Sequence, residues 1–346
     1  MKKIGICGHF GFGLNLLNGQ TVKTKSIIKE LTRKYGEDEI ICVDTHGGIR
    51  KIINCFTGIV HLMIQCKNII ILPAQNAVRF FAPLIVIFNK VFHRNINYIV
   101  IGGWLPSFIE ERKFLRNCLK KFDHIYVETS IMKKKLEEQG FTNVVCMPNF
   151  KELNILTKQE LIYTEQIPYK VCTFSRVMEE KGIEDAIKVI KSVNEKWGKD
   201  VYLLDIYGQI EEGYTERFQT LIKQVPEYIK YKGEVQYSET VGVLKDYYAV
   251  LFPTKFYTEG IPGTVIDAYA AGVPVIASKW ENYKDVVCEE VTGIGYQFGN
   301  NEMLQQILEE IASGEKDLNQ YKTNCIEFAT KFVPTVGISV LAERLE

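Results

Sequence analysis

The stretch FPTKFYTEGIPGTVIDAYAAGVPVIAS, residues 252–278, carries the strongest fold signal in the chain. An apolar run ends at Thr254, a Gly-Pro-Gly loop follows, and Thr264 opens a short Ala-rich helix that ends at Gly272. The apolar run VPVIAS, residues 273–278, begins directly after that glycine. A strand, a glycine-rich loop, a helix and a second strand are typical of a parallel βαβ unit.

The same alternation extends outward from this stretch in both directions. Apolar runs recur at 2–8, 39–45, 68–74, 96–102, 124–129 and 143–148, and again at 170–175, 201–208, 229–233, 249–254, 273–278 and 293–298, with amphipathic segments between them. Near-continuous apolar strands separated by helices predict parallel sheets covered on both faces. We therefore expect an α/β chain with two Rossmann-like, doubly wound domains facing a cleft, lined by the loops at the carboxyl ends of the strands.

Domain boundaries follow from the point at which the pattern restarts. A polar stretch from Lys151 to Gln166 separates the two series of strands. We place the first domain at residues 1–165 and the second at 166–331. One expectation for the tail, residues 332–346, is that it crosses back to the first domain.

Charge is divided unequally between the two halves. Residues 1–170 contain 24 Lys plus Arg against 14 Asp plus Glu, and residues 171–346 contain 18 against 28. The zero net charge of the chain therefore conceals a basic half (+10) and an acidic half (−10), which indicates different partners for the two lobes or a chance drift of surface charge. Nine cysteines without a C-x-x-C pair indicate small core residues of a reducing cytoplasm, and they exclude a zinc ribbon or a redox pair.

The loop before the Ala-rich helix predicts an anion site. The first N–H groups of a helix lack partners within it, and the helix dipole favours negative charge there. Glu259 lies just before this loop and Asp267 lies one turn inside the helix. Glu259 suits the reacting end of a ligand, whereas Asp267 suits a neutral diol such as a ribose.

A second candidate is SRVMEEKG, residues 175–182, after the first strand of the second domain. Arg176 offers a planar fork and Lys181 a point charge, a pair suited to a diphosphate. The alternative is a solvated turn between strand and helix.

A third candidate is the glycine-rich loop GHFGFGLNLLNGQT after the first strand. It is a poor dinucleotide fingerprint, because Leu16 stands where the third glycine is expected and the loop is too long. A loop that closes over a phosphate or an acceptor, or a purely structural turn, is the remaining interpretation.

Taken together, these second-half motifs resemble the retaining GT-B glycosyltransferases of family 4. Glu259 and Asp267 form an E-x7-[E/D] arrangement followed by AYAAGVPVIAS, and SRVMEEKG matches the basic segment of that family. The resemblance implies transfer of a sugar from a nucleotide-diphosphate donor with retained anomeric configuration. It also implies that the first domain binds the acceptor and the second the donor.

The resemblance assigns roles residue by residue. Arg176 and Lys181 match the basic pair that neutralises the donor diphosphate, Glu259 the acid near the donor sugar, and Asp267 the acid that holds the ribose. Catalytic roles therefore fall to Glu259, Arg176 and Lys181. The donor-binding set implied is Gly19, Arg176, Lys181, Glu234, Val235, Glu259, Gly260, Gly263, Thr264 and Asp267.

Two departures from the family pattern concern this assignment. The second acid is Asp267 rather than the commoner glutamate, and because its side chain is one methylene shorter we expect its ribose contact to run through water or a shifted helix. After the fourth strand, IGGWLP, residues 101–106, stands where the family often has a histidine, with Gly102 and Gly103 at its centre. The acceptor side is therefore assigned to His9, Asn18 and Trp104.

The function predicted is a metal-independent, retaining hexosyltransferase of cell-surface polysaccharide synthesis. We expect a nucleotide-diphosphate sugar donor, with UDP favoured over GDP, a glycan or lipid-linked glycan acceptor, no cofactor and no nucleic-acid partner. No D-x-D triplet occurs, and the basic pair replaces a metal ion. The alternatives are a non-catalytic homologue that binds a nucleotide sugar or glycan, and a nucleotide-sugar epimerase or phosphorylase on the same architecture.

Two segments of the basic half predict contact with an anionic membrane surface. VRFFAPLIVIFNKVFHR, residues 78–94, and ERKFLRNCLKKF, residues 111–122, combine apolar runs with basic side chains. The longest apolar run, Phe80 to Phe88, is too short to cross a bilayer. We therefore expect a cytoplasmic protein, peripheral on the inner face of the plasma membrane, with core helices bearing solvated charged faces as the alternative.

Overall fold

The computed structural model describes residues 2–11, 19–45 and 50–345, and of residues 19, 20, 22 and 50–55 it describes the backbone alone. The chain forms two compact units. One unit comprises Met1–Glu152 together with Phe332–Glu346, and the other comprises Leu153–Lys331. Each unit is built on one six-stranded sheet in which every neighbouring pair of strands is parallel.

In the first unit the strand order is β2-β1-β3-β4-β5-β6. Its strands are β1 (Lys2–Gly8), β2 (Ile40–Asp44), β3 (Cys66–Leu72), β4 (Asn95–Ile99), β5 (His124–Val127) and β6 (Val144–Cys146). Its helices are α1 (Gly19–Tyr35), α2 (Arg50–Gln65), α3 (Val78–Phe92), α4 (Leu105–Ile109), α5 (Lys113–Leu119), α6 (Ser130–Glu138) and, from the end of the chain, α14 (Pro334–Ala342).

The helices of this unit cover both faces of the sheet. One face carries α1 and α14, whose buried side chains include Ile27, Leu31 and Leu341. The opposite face carries α2 to α6, with Leu62 and Ile85 among its buried side chains. This division follows from the strand order, because right-handed connections that run in opposite directions along a sheet place their helices on opposite faces.

In the second unit the strand order is β12-β11-β10-β7-β8-β9. Its strands are β7 (Tyr169–Phe174), β8 (Tyr202–Tyr207), β9 (Ile229–Gly233), β10 (Ala249–Phe252), β11 (Val275–Ser278) and β12 (Gly293–Tyr296). Its helices are α7 (Ile183–Trp197), α8 (Thr215–Ile222), α9 (Thr240–Leu244), α10 (Gly263–Ala270), α11 (Tyr283–Val286), α12 (Asn301–Ala312) and α13 (Lys322–Ala329). All twelve strands thus lie where the apolar runs predict them, and the two doubly wound sheets confirm the predicted fold class.

The division of the chain differs from the predicted boundary after residue 165. Residues 153–165 group with the second unit. The Leu156 N–H donates to the Ala270 carbonyl at 2.9 Å, and the Thr164 N–H donates to Asn319 Oδ1 at 3.1 Å. The segment has no regular strand or α-helix, so its place is set by contacts that the sequence pattern does not reveal.

The tail, residues 332–346, belongs to the first unit. Its helix α14 packs on α1. Gly337 of α14 also lies close to the Phe150 ring, because a Cβ at Gly337 would lie 2.0 Å from Phe150 Cδ1. Asn95 Nδ2 also donates to the Arg344 carbonyl at 2.8 Å, which ties the end of the tail to the start of β4.

Within the described residues, one helical stretch, Leu318–Ala342, is long and apolar enough to cross a membrane. Pro334 starts a new helix inside it. Cys325 in α13 is buried within the second unit, and Leu341 in α14 is buried within the first. The two helices of this stretch therefore each contribute to the core of a different unit.

The strand order of the second unit reverses beside β7. From β7 the chain moves outward to β8 and β9, and it then returns to β10 on the other side of β7 before continuing to β11 and β12. The loops after β7 and β10 therefore leave the sheet in opposite directions from adjacent strands. In open α/β sheets such a switch point, at the carboxyl ends of the strands, is where ligands bind.

A glycine lets these two loops approach each other. Gly182 has φ +69°, and a Cβ there would lie 1.9 Å from the Pro253 carbonyl oxygen. Gly198, at the other end of α7, has a similar φ of +63° but no atom within 4 Å of a built Cβ. The two positions share the same backbone conformation and differ in the space around them.

We expect Gly182→Ala to lower the free energy of unfolding by about 3 kcal/mol or more, because it adds a backbone clash to the strain of positive φ. Gly198→Ala should cost only about 1 kcal/mol, the strain alone. Urea titration followed by circular dichroism measures both. Equal losses in the two variants would show that the approach to Pro253 does not constrain the fold.

Candidate functional site

Two loops meet at the switch point of the second unit. The loop after β7 runs to Gly182, and the loop after β10 begins at Pro253. The Lys255 N–H donates to the Glu180 carbonyl at 2.7 Å, and Lys255 Nζ forms a salt bridge with Asp185 Oδ2 at 2.9 Å. These two contacts fix the loop after β10 to the loop after β7 and to the start of α7.

Lys181 and Glu259 are brought together by this junction. Lys181 Nζ forms a salt bridge with Glu259 Oε1, and the two side chains are 21% and 15% exposed. Thr254 Oγ1 lies 3.5 Å from the same carboxylate oxygen. A partly buried ion pair of this kind is weakly screened by solvent, so the two charges attract each other more strongly than an exposed pair does.

The loop that contains Gly260 leads directly into α10, as the sequence predicts. The N–H groups of Val265 and Ile266 bond to the Pro262 carbonyl. The hydroxyl of Thr264 donates to the carbonyl of Phe174 at the end of β7. What the helix start can offer an anion is therefore its backbone N–H groups at Gly263 and Thr264, together with the helix dipole.

Arg176 lies at the edge of the same region. Its side chain is 46% exposed, and its guanidinium is 3.9 Å from Glu211 Oε1, at the long limit of a salt bridge. Val177 is held by the Gln209 carbonyl at 2.8 Å, so the backbone next to Arg176 is ordered while the side chain is open to solvent. This arrangement leaves the guanidinium available for a charged ligand.

The remaining donor-side residues lie in more varied surroundings. Asp267 is on the same face of α10 as Gly263 and Thr264 but one turn deeper, where it is only 5% exposed. Glu234 is exposed and Val235 is half-buried, both just after β9. The Asp267 carboxylate therefore lies in an enclosed position and not at an open surface.

Sequence reasoning missed two residues that follow β11. Asn282 is fully buried and its Nδ2 donates to the Glu259 carbonyl at 2.6 Å. The Trp280 ring packs edge-on against Phe252 with a centroid distance of 5.4 Å. Their position in the sequence could have indicated a place near the site, because they follow β11. That strand neighbours β10, so its carboxyl end lies beside the switch point.

A buried polar network stands next to this region, between β8 and the residues just before β10. The Tyr247 hydroxyl donates to Asp205 Oδ2 at 2.7 Å and lies 2.8 Å from the Tyr207 hydroxyl. Burial raises the pKa of both Tyr207 and Tyr247 above the ordinary tyrosine value. Both phenols therefore stay protonated, and they give β8 a rigid polar support.

The acceptor-side prediction falls on the first unit. His9 is half-buried after β1, and Gly19 is the first residue of α1, whereas Asn18 lies outside the described residues. The Trp104 indole N–H donates to the Ile101 carbonyl at 2.8 Å, and its ring packs on Phe108. The indole N–H of Trp104 is therefore engaged in a hydrogen bond within its own turn.

A buried ion pair lies beside the Gly102–Gly103 turn. Lys23 Nζ and Glu128 Oε1 are 2.8 Å apart, and both side chains are 3% exposed. The Gly102 N–H lies 3.3 Å from the same oxygen. Glu128 directly follows β5 and Lys23 lies in α1, so paired charges occupy the carboxyl edge of the first sheet, and sequence reasoning did not identify them.

A metal ion in a protein is held by several His, Cys, Asp or Glu side chains placed together. Among residues 2–11, 19–45 and 50–345, no group of three or more His, Cys, Asp and Glu side chains is arranged to hold a metal ion.

Comparison with known proteins assigns the fold. Over 99% of both chains, the structure matches the Anabaena protein HepE in complex with UDP, with a TM-score of 0.75 and 13% identity. It matches a sucrose-phosphate synthase from Thermosynechococcus elongatus over 100% of this chain and 99% of that one, with a TM-score of 0.77 and 12% identity. The chain therefore has the GT-B fold of two Rossmann-like domains.

The family is indicated by the second unit. Residues 158–329 match the model of the family Glycosyl transferases group 1. This unit is therefore similar to the group 1 glycosyltransferases over most of its length. Over 186 residues, 52% of this chain, the sequence is 25% identical to the amylovoran biosynthesis glycosyltransferase AmsK of Erwinia amylovora, and the aligned part spans 45% of that relative's length.

We expect Lys181 and Glu259 to show energetic coupling in a double-mutant cycle. Lys181→Met and Glu259→Gln each leave a partly buried partner, so the double variant should be more stable than the sum of the single losses predicts, by about 1 kcal/mol. Thermal unfolding of the four proteins measures this coupling.

The exposed pair Lys158–Glu327, at 2.9 Å with both side chains about 60% exposed, is the matched control. Its coupling should be less than half as large, because solvent screens it. Equal coupling in the two pairs would contradict the special placement of Lys181 and Glu259.

Proposed function

We propose that this protein is a retaining glycosyltransferase that moves a sugar from a nucleotide-diphosphate donor, UDP rather than GDP, to a glycan or lipid-linked glycan acceptor. The process it serves is cell-surface polysaccharide synthesis. The enzyme is metal-independent and acts in the cytoplasm. The relative AmsK, whose name places it in amylovoran biosynthesis, and HepE, solved with UDP, are consistent with this proposal.

One observation carries the proposal. Lys181, Glu259 and the N-terminal end of α10 converge at the switch point of a unit that matches the group 1 glycosyltransferases. A cationic side chain, an acid and free helix N–H groups in one place suit a ligand that combines a diphosphate with a polyol. A nucleotide sugar is such a ligand.

In the reaction that we propose, the bond between the sugar's anomeric carbon and the diphosphate oxygen breaks, and the diphosphate leaves with the electron pair. Lys181, Arg176 and the α10 N–H groups stabilise that developing charge. The acceptor hydroxyl forms the new bond on the same face, and its proton passes to the departing diphosphate oxygen. Because Lys181 is held by Glu259 when no donor is present, the diphosphate competes with the carboxylate for the ammonium group.

Glu259 and Asp267 have separate tasks in this scheme. Glu259 reaches the donor sugar and stabilises charge near the anomeric carbon. Asp267, one turn inside α10, holds the ribose, and because its short side chain is buried, that contact is bridged by water. Glu234 and Val235 lie near the base.

Purified protein should transfer sugar from a UDP-sugar in the presence of EDTA, since basic residues rather than a metal neutralise the leaving group. A panel of UDP- and GDP-sugars, screened first by thermal shift, identifies the donor. Slow release of UDP without acceptor separates a transferase from a protein that only binds nucleotide sugars. Loss of activity in EDTA that manganese restores would refute metal independence, and binding without turnover on any acceptor would favour the binding homologue.

The two acids should differ in their kinetics. Glu259→Gln should lower kcat by roughly tenfold to a thousandfold while donor binding persists, because its contact strengthens as charge develops. Asp267→Asn should chiefly raise the donor KM, because a ribose contact is equal in ground and transition states. Initial rates at saturating acceptor measure both, and NMR of the product gives the anomeric configuration. An inverted product, or an unchanged kcat in Glu259→Gln, would overturn the retaining assignment.

A further inference from the structure

The outer surface of α3 exposes large apolar side chains in a single row. Phe80, Ile87 and Val91 are 78%, 61% and 74% exposed. Spacings of seven and four residues place them on one face of the helix. The face turned to the sheet is filled separately by Val78, Ala82 and Ile85, all fully buried. The apolar row is therefore additional to the core of the unit.

Neighbouring helices extend this row into a surface. Helices α2 and α5 both pack against α3 on the same side of the sheet. Phe114 on α5 is 72% exposed, and Phe56 and Ile64 on α2 are about half exposed. We call this surface, formed by Phe56, Ile64, Phe80, Ile87, Val91 and Phe114, the α3 apolar face.

Basic side chains border the α3 apolar face. Helix α3 contains Arg79 and Lys90 but no Asp or Glu, and α5 begins with Lys113. None of these three forms a salt bridge within the part of the chain that the structure describes. The Arg79 and Arg112 guanidinium groups lie 5.3 and 4.2 Å from the centroid of the buried Phe108 ring, which fixes both cations close to α4.

Contiguous exposed aromatic and aliphatic side chains on a protein surface mark an interaction site. We propose that the α3 apolar face docks on an anionic lipid surface, with Phe80, Val91 and Phe114 inserted at the level of the headgroups and Arg79, Lys90 and Lys113 bound to lipid phosphates. Charge complementarity carries this choice. A second copy of the chain would bring two sets of unpaired cations together, whereas an anionic bilayer offers apolar depth and negative charge at one surface.

Vesicle flotation with the full-length protein tests the proposal. The probes are vesicles of phosphatidylcholine alone and vesicles with added phosphatidylglycerol, at low and at physiological salt. The protein should float with the anionic vesicles, more strongly at low salt, and stay in solution with phosphatidylcholine alone.

Two variants separate the apolar from the basic contribution. Phe80→Ser/Val91→Ser/Phe114→Ser should lower binding at least tenfold at both salt concentrations. Arg79→Gln/Lys90→Gln/Lys113→Gln should lower binding to anionic vesicles on the order of a hundredfold at low salt, given the contribution of each basic side chain near such a surface. The matched control is Lys188→Gln/Lys223→Gln/Lys284→Gln, three exposed lysines of the second unit, and it should bind like the wild type.

Thermal unfolding and nucleotide binding verify that each variant is folded. Absence of flotation by the wild type at low salt, or equal flotation of wild type and both triple variants, would overturn the proposal. Concentration-dependent dimers that the apolar variant abolishes, without vesicle binding, would assign the face to a second copy instead. None of these outcomes depends on whether the second unit transfers a sugar, so the two proposals can fail separately.

Discussion

The reversal of strand order between β7 and β10 is the constraint on which the described site depends. After β7 the chain continues toward one side of the sheet, and after β10 it continues toward the other side. No crossover therefore separates the two loops at the carboxyl ends of these strands, and the loops can contact each other there. Here they meet through backbone contacts, with Gly182 against Pro253 and the Lys255 N–H on the Glu180 carbonyl. The side chains of Lys181 and Glu259 are neighbours because these backbone contacts place them so.

Helix α10 is part of the same arrangement. It starts at the loop after β10, and Thr264 fastens its first turn to the end of β7 through the Phe174 carbonyl. The helix dipole is thereby aimed at the switch point, where Lys181 and Arg176 also lie. Lys181, Arg176 and the start of α10 thus supply positive potential in one region, and in the reaction that we propose this potential stabilises the leaving diphosphate.

Much of this could be predicted from the sequence, because it rests on local patterns. Apolar runs of strand length and the Gly-Pro-Gly loop predict the sheets and the start of α10 directly. The pairing of Lys23 with Glu128 could not be predicted, because those residues are 105 positions apart and their burial depends on how α1 packs beside β5. The same holds for Asn282, which acts on Glu259 through a backbone carbonyl, and for residues 153–165, which lack any regular pattern and take their place from bonds such as Leu156 to Ala270.

The close approach of Gly182 to Pro253 also has a consequence for how such a site diverges during evolution. The position of the loops is set by glycine and backbone groups, whereas the chemistry that we propose falls to the side chains of Arg176, Lys181 and Glu259, which take no part in those backbone contacts. Under the proposed function, substitutions at these three positions would change donor preference or abolish turnover while the scaffold persists. A lineage with this architecture can explore new sugars, or become a binding protein, through a few side-chain changes, but it has little freedom at residue 182.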